Sequence, residues 1–88
     1  MIVGKYTLVP TDEQTVMLPR GARVLSVDVQ NGRICVWALI DPSLSSESRT
    51  FFIHGTGHEV AYPHSAQFIG TVLLDNGFLV FHVFVLPV

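Results

Sequence analysis

The sequence predicts an all-β protein, a small single-domain barrel or sandwich of about six antiparallel strands. Three observations predict it. Apolar, β-branched runs of strand length follow one another at short intervals. Two Asn-Gly dipeptides, at 31–32 and 76–77, each separate two such runs. No segment carries a helical period of apolar residues. Asn-Gly between two β runs marks a hairpin, because a type I′ turn needs positive φ at both central positions. All 88 residues fit one domain, with no linker and no internal repeat beyond the two hairpins.

Taken in order, VGKYTLV reads as the first strand and Pro10-Thr11-Asp12-Glu13 as the turn after it. TVML is a short strand, closed by Pro19-Arg20-Gly21. ARVLSVDVQ and RICVWALID form the first hairpin around Asn31-Gly32. A two-residue loop sets the register: Val29 faces Ile34, Val27 faces Val36 and Leu25 faces Ala38, an all-apolar face that reads as core. DPSLSSESRT reads as a surface loop and RTFFIH as the next strand. GTGHEVAYPHS is irregular. QFIGTVLLD and FLVFHVFVL form the second hairpin, with Val72 facing Phe81 on one side and Leu73–Val80, Thr71–His82 and Ile69–Phe84 on the other. Both faces are largely apolar, which fits either a strand between two layers or one pressed against another subunit. Gly70 in mid-strand points to a bulge or a close approach.

The chain is 49% hydrophobic and 14% charged, against about 25% charged in an ordinary domain. A domain this small buries only roughly 60–65% of its unfolded surface and needs a polar exterior. The shortage of charge predicts a further buried surface, most simply a homo-oligomer. A net charge of −2 offers no footprint for nonspecific nucleic-acid binding. No run is long and uninterrupted enough for a membrane helix. The single Cys35 rules out an internal disulfide framework and fits a reducing compartment, so a cytoplasmic location is expected.

The segment His54-Gly55-Thr56-Gly57-His58 is the main candidate site. Two glycines argue against a helix, so the His-x3-His spacing is not the zinc-binding pair of a helical face. Gly-Thr-Gly could present backbone N–H groups to an anion. The residue chemistry favours a strand-exit turn, with glycines at positive φ and the threonine hydroxyl on a nearby group. Arg49, Arg23 and the aromatic Trp37 are the residues that could join this segment in a ligand site. Phe78, Val80, His82 and Phe84 are the candidate interface. The carboxylates fall at turns, and no Ser-His-Asp elbow is present. No metal site and no cofactor are expected, and the protein is not expected to be an enzyme.

LPRGARVLSV, ICVWALIDP, FFIHGTGHEV and FIGTVLLDNGFLVFHVF together resemble a family of short proteins found mainly in tailed phages and prophages. The most specific marks are Leu18-Pro19, Trp37-Ala38-Leu39, Gly55-Thr56-Gly57-His58, Gly70-Thr71 and His82-Val83-Phe84. The family is one of unknown function, so it supplies no catalytic residues. The resemblance implies a phage origin and a role in the cytoplasm of the infected host. The expectation is therefore a non-catalytic accessory protein that binds a host protein, as an inhibitor (of host defence, for example) or as a minor assembly component. The alternative is an oligomeric sponge that sequesters a nucleotide or another small anionic ligand of host defence signalling.

Overall fold

Side-chain alternation sorts this chain into seven strands. The computed structural model describes residues 1–87. The strands are β1 (Ile2–Leu8), β2 (Glu13–Pro19), β3 (Arg23–Gln30), β4 (Arg33–Ile40), β5 (Ser46–Gly55), β6 (Gln67–Leu74) and β7 (Leu79–Val85). Among the described residues the only helical segment is one 3-10 turn over Asp75–Gly77, so no helix is long and apolar enough to cross a membrane. The strands form two antiparallel sheets, β1-β4-β3 and β2-β5-β7-β6.

The all-β expectation holds, and of the two architectures expected, barrel or sandwich, the chain takes two separate sheets. The strands number seven rather than about six, and the sheet does not close into a barrel. The turn after β1 carries the chain from one sheet to the other, so β1 pairs only with β4 and β2 only with β5. Gln14 holds that turn. Its amide accepts from Val9 N–H at 3.0 Å and donates to the Val9 carbonyl at 2.6 Å. On the opposite side β3 lies beside β6 without a hydrogen-bonded ladder.

The two sheets share one core. Leu8, Ile34, Val36, Ala38 and Ile40 come from the three-stranded sheet; Leu18, Phe51, Ile53, Val72, Val83 and Val85 come from the four-stranded one. These are alternate residues on their strands, as a pleated ladder with one face inward requires. Each fully buried aliphatic or Phe side chain contributes roughly 1.5–3 kcal/mol relative to exposure.

The registers follow the expected hairpins until each meets a bulge. In the first, Val29 faces Ile34 and Val27 faces Val36, with Asn31 (φ 52°) and Gly32 (φ 73°) reversing the chain. The register then shifts between Val24 and Ser26, so Val24 rather than Leu25 faces Ala38. Leu25 is turned to solvent. In the second hairpin Leu74 faces Leu79, and Phe78 N–H donates to the Asp75 carbonyl at 3.0 Å. Asp75, Asn76 and Gly77 all have positive φ, which opens the reversal into a four-residue connection. A shift between Phe68 and Gly70 then places Phe68, not Ile69, opposite Phe84.

β5 also begins earlier than expected. The loop after β4 is only Asp41–Ser45, because Ser46 and Glu47 already pair with Pro19 and Leu18 of β2. Asp41 organises that loop by accepting from the Ser43 hydroxyl at 2.6 Å and the Ser43 N–H at 3.1 Å. These bonds hold its carboxyl below the usual carboxylate range. Their contribution is present above that range and is lost as pH falls through the depressed value.

Gly70 sits where β6 passes β3. A Cβ there would stand 2.9 Å from Val27 Cγ1. Gly70→Ala is expected to cost about 1–3 kcal/mol of stability in urea titration. Adding Val27→Ala to it should recover part of that loss, since the two positions share one contact. Unchanged stability in the single variant would show that the two strands do not meet there.

Candidate functional site

β5 positions most of the nominated residues. Phe51 and Ile53 point into the core, so Phe52 and His54 point to the outward face of the four-stranded sheet. Both are nevertheless buried. Phe84 follows from the β7 register opposite Phe52, and His82 lies opposite His54. The segment after β5 folds back over this face. Tyr62, held at φ 53°, brings its ring to 5.6 Å from that of Phe52. His54 stacks on Phe52 at 6.2 Å with an interplanar angle of 9°, and its ring lies 6.4 Å from Phe84. Phe68 completes the row, 5.4 Å from Phe84. The outward face thus carries an aromatic layer of its own, in which the His54 Nε2 atom is buried with no hydrogen-bond partner among the described residues.

The His54–His58 segment forms a tight turn at the end of β5. His58 N–H donates to the Gly55 carbonyl at 3.1 Å, and Gly57 takes φ 88°. The His58 ring lies across Gly55, so that a Cβ at 55 would come to 3.1 Å from His58 Cε1. Thr56 ties the turn to the sheet. Its hydroxyl lies 2.8 Å from His82 Nε2, and the Thr71 hydroxyl lies 2.9 Å from His82 Nδ1. Both imidazole nitrogens are therefore engaged by hydroxyls. Neither of these partners is a carboxylate, such as orients the ring in a hydrolytic triad. Among the described residues no three His, Cys, Asp or Glu side chains gather as a metal-ligating group.

The structure does not bring the nominated ligand residues together. His54, Gly55, Thr56, Gly57 and His58 lie at one end of β5. Arg49 lies five residues before His54 on the core-facing side, roughly 17 Å away at strand rise. An odd separation along a strand also puts Arg49 and His54 on opposite faces. Trp37 is half-buried between Lys5 and Ser26 on β4, on the opposite face of that strand from core residues Val36 and Ala38. Arg23 and Arg49 do share one region. They line a cleft of about 490 Å³ together with Gly21, Ala22 and Gln67. Of these three, only Gly21 carries a sequence signal, that of a turn. The β6–β7 register, which sets Gln67 opposite Val85, brings Gln67 to the core's open end.

The nominated interface residues do share a region. Val80, His82 and Phe84 lie on the outward face, and Phe78, at 84% exposure, projects from the adjoining turn. Phe68 and Leu73 belong with them and were not anticipated. Leu73 faces Val80, Phe68 faces Phe84, and the two are 57% and 55% exposed. The bulge at Ile69 is what turns Phe68 outward, and the sequence does not announce it.

The molecule is thus a small protein of two open antiparallel sheets, with an apolar, charge-poor outward face and an arginine-lined cleft. By comparison with family models, it belongs over residues 1–88 to the family described as a domain of unknown function, DUF7352. No curated protein and no solved structure matches the chain.

Thr56→Val removes the hydroxyl that reaches His82 while keeping the side chain's shape. The expected loss is about 0.5–1.5 kcal/mol. Amide hydrogen exchange should quicken over residues 55–58 and stay unchanged in β3 and β4. Uniform quickening across both sheets would show that the turn is not a local unit.

Proposed function

We propose that the protein is a non-catalytic binding protein that acts through the outward face of its four-stranded sheet. Its first partner on that face is a second copy of the chain. The observation that carries this reading is the composition of the face. β6 and β7 contain no Asp, Glu, Lys or Arg. On their outward side Phe68 pairs with Phe84 and Leu73 with Val80, on either side of the uncharged Thr71–His82 pair, and Phe68 and Leu73 are more than half exposed. A charge-free apolar face needs no charged complement, and self-pairing about a two-fold axis satisfies it. It also accounts for the low charge content of so short a chain.

The resemblance to short tailed-phage proteins supplies the setting for this reading: an accessory protein acting in the host cytoplasm on a host protein, as inhibitor or minor assembly component. In that setting pairing of copies leaves the three-stranded sheet, with half-buried Trp37, available to another protein. Half-buried tryptophans are favoured anchors at such contacts.

Sedimentation or light scattering of the purified chain should give a mass of twice 9.7 kDa at micromolar concentration. Phe68→Asp and Leu73→Asp, each at an exposed position, should return it to monomer without loss of the β-sheet circular dichroism spectrum. A wild-type chain that stays monomeric at 100 μM, roughly the weakest range for a functional pair, overturns the self-pairing.

A further inference from the structure

The row of core-facing side chains on β5 runs from Ile53 through Phe51 to Arg49. The first two are sealed between the sheets. The third is a guanidinium, and it is 6% exposed. Its Nη1 donates to the Ala22 carbonyl at 2.7 Å. Its Nε is buried and, among the described residues, has no hydrogen-bond partner. Among the described residues, no carboxylate supplies the missing partner. Glu47, two residues back on the same side of β5, directs Oε1 to Gly21 N–H at 3.1 Å. A buried cation satisfied only by one neutral carbonyl is costly, and native proteins keep such groups paired or bound.

The space beside this guanidinium is open. It is the cleft of about 490 Å³ at the mouth of the core, where the start of β3 and the start of β6 stand apart. Arg23 stands at its rim, Gln67 lines the β6 side, and Pro87 lines it beyond β7. The volume is within the range of small-molecule sites. We propose that this cleft binds a small organic phosphate. Arg49 and Arg23 take the phosphoryl oxygens, Arg49 through the edge of its guanidinium that lines the cleft. Gln67 meets a polar group on the organic part, and Pro87 forms an apolar wall. Two guanidiniums suit phosphate because their donors are planar and paired, and burial strengthens the bonds they make. The cleft is also larger than one oxyanion fills, which is why the ligand has an organic part. This site is separate from the outward face of the four-stranded sheet, so either reading stands without the other.

Thermal unfolding and calorimetric titration of the full chain at constant ionic strength test it. The probes are ribose 5-phosphate, adenosine 5′-monophosphate, inorganic phosphate and citrate. The organic phosphates should raise the unfolding midpoint in a saturable way, and inorganic phosphate should bind at least tenfold more weakly. Citrate should give no saturable shift. Arg49→Met should abolish binding and leave the ligand-free midpoint equal or higher, because it removes a buried unpaired charge. Should that variant fail to fold, Arg23→Ala and Gln67→Ala, at the rim and wall, should each weaken binding at least fivefold with the ligand-free midpoint unchanged. The proposal is overturned if no probe binds, if citrate or inorganic phosphate binds as tightly as the organic phosphates, or if the Arg23 and Gln67 variants bind as the wild type does.

Discussion

The fold depends on β5 being buried on both faces. Its ten residues pair with β2 on one side and β7 on the other. Phe51 and Ile53 meet the three-stranded sheet, while Phe52 lies against Tyr62 and His54 between Phe52 and Phe84. A strand in that position cannot slip by one residue, because a slip exchanges the two sets of side chains between layers of different shape. Its register fixes the outward direction of Val80, His82 and Phe84 on β7 and, through β7, of Phe68 and Leu73 on β6. The same register carries Arg49 to the mouth of the core. Both candidate binding regions are consequences of how one strand is held.

Much of this was legible because the signals were local. The Asn-Gly dipeptides stand where the chain reverses, and the alternation of RICVWALI identifies its buried side. The pairs nearest each turn follow from counting outward. Counting fails at Leu25 and Ile69, where each hairpin inserts one residue. Neither residue differs in kind from its neighbours. The bulges answer to a distant requirement, that β3 and β6 curve past each other with Gly70 against Val27. A local pattern contains no trace of that contact apart from the glycine itself.

The candidate site was legible by residue type and not by place. Glycines and a threonine hydroxyl in the His54–His58 segment announce a tight turn, and the structure supplies the partner of that hydroxyl, His82. Arginines nominated for an anion could be named but not located. Linking them to the histidine segment would require β5 to be short, whereas it runs from Ser46 to Gly55 and holds the two groups apart on opposite faces. What brings Arg23 to Arg49 is the packing of two sheets, a pairing with no sequence periodicity behind it.

The low charge content then resolves into two different physical situations. On the outward face of β6 and β7 charge is absent, and what remains is apolar area for which water is a poor partner. At the mouth of the core a charge is present where an apolar residue would continue the row of Ile53 and Phe51. Stability alone favours the apolar residue there, because a methionine or leucine would fill the same place with no desolvation penalty. A guanidinium in such a position, with Nε unpaired among the described residues and an open cleft beside it, is the observation on which the proposed ligand site rests. The outward face invites association by lacking charge, and the cleft by keeping one.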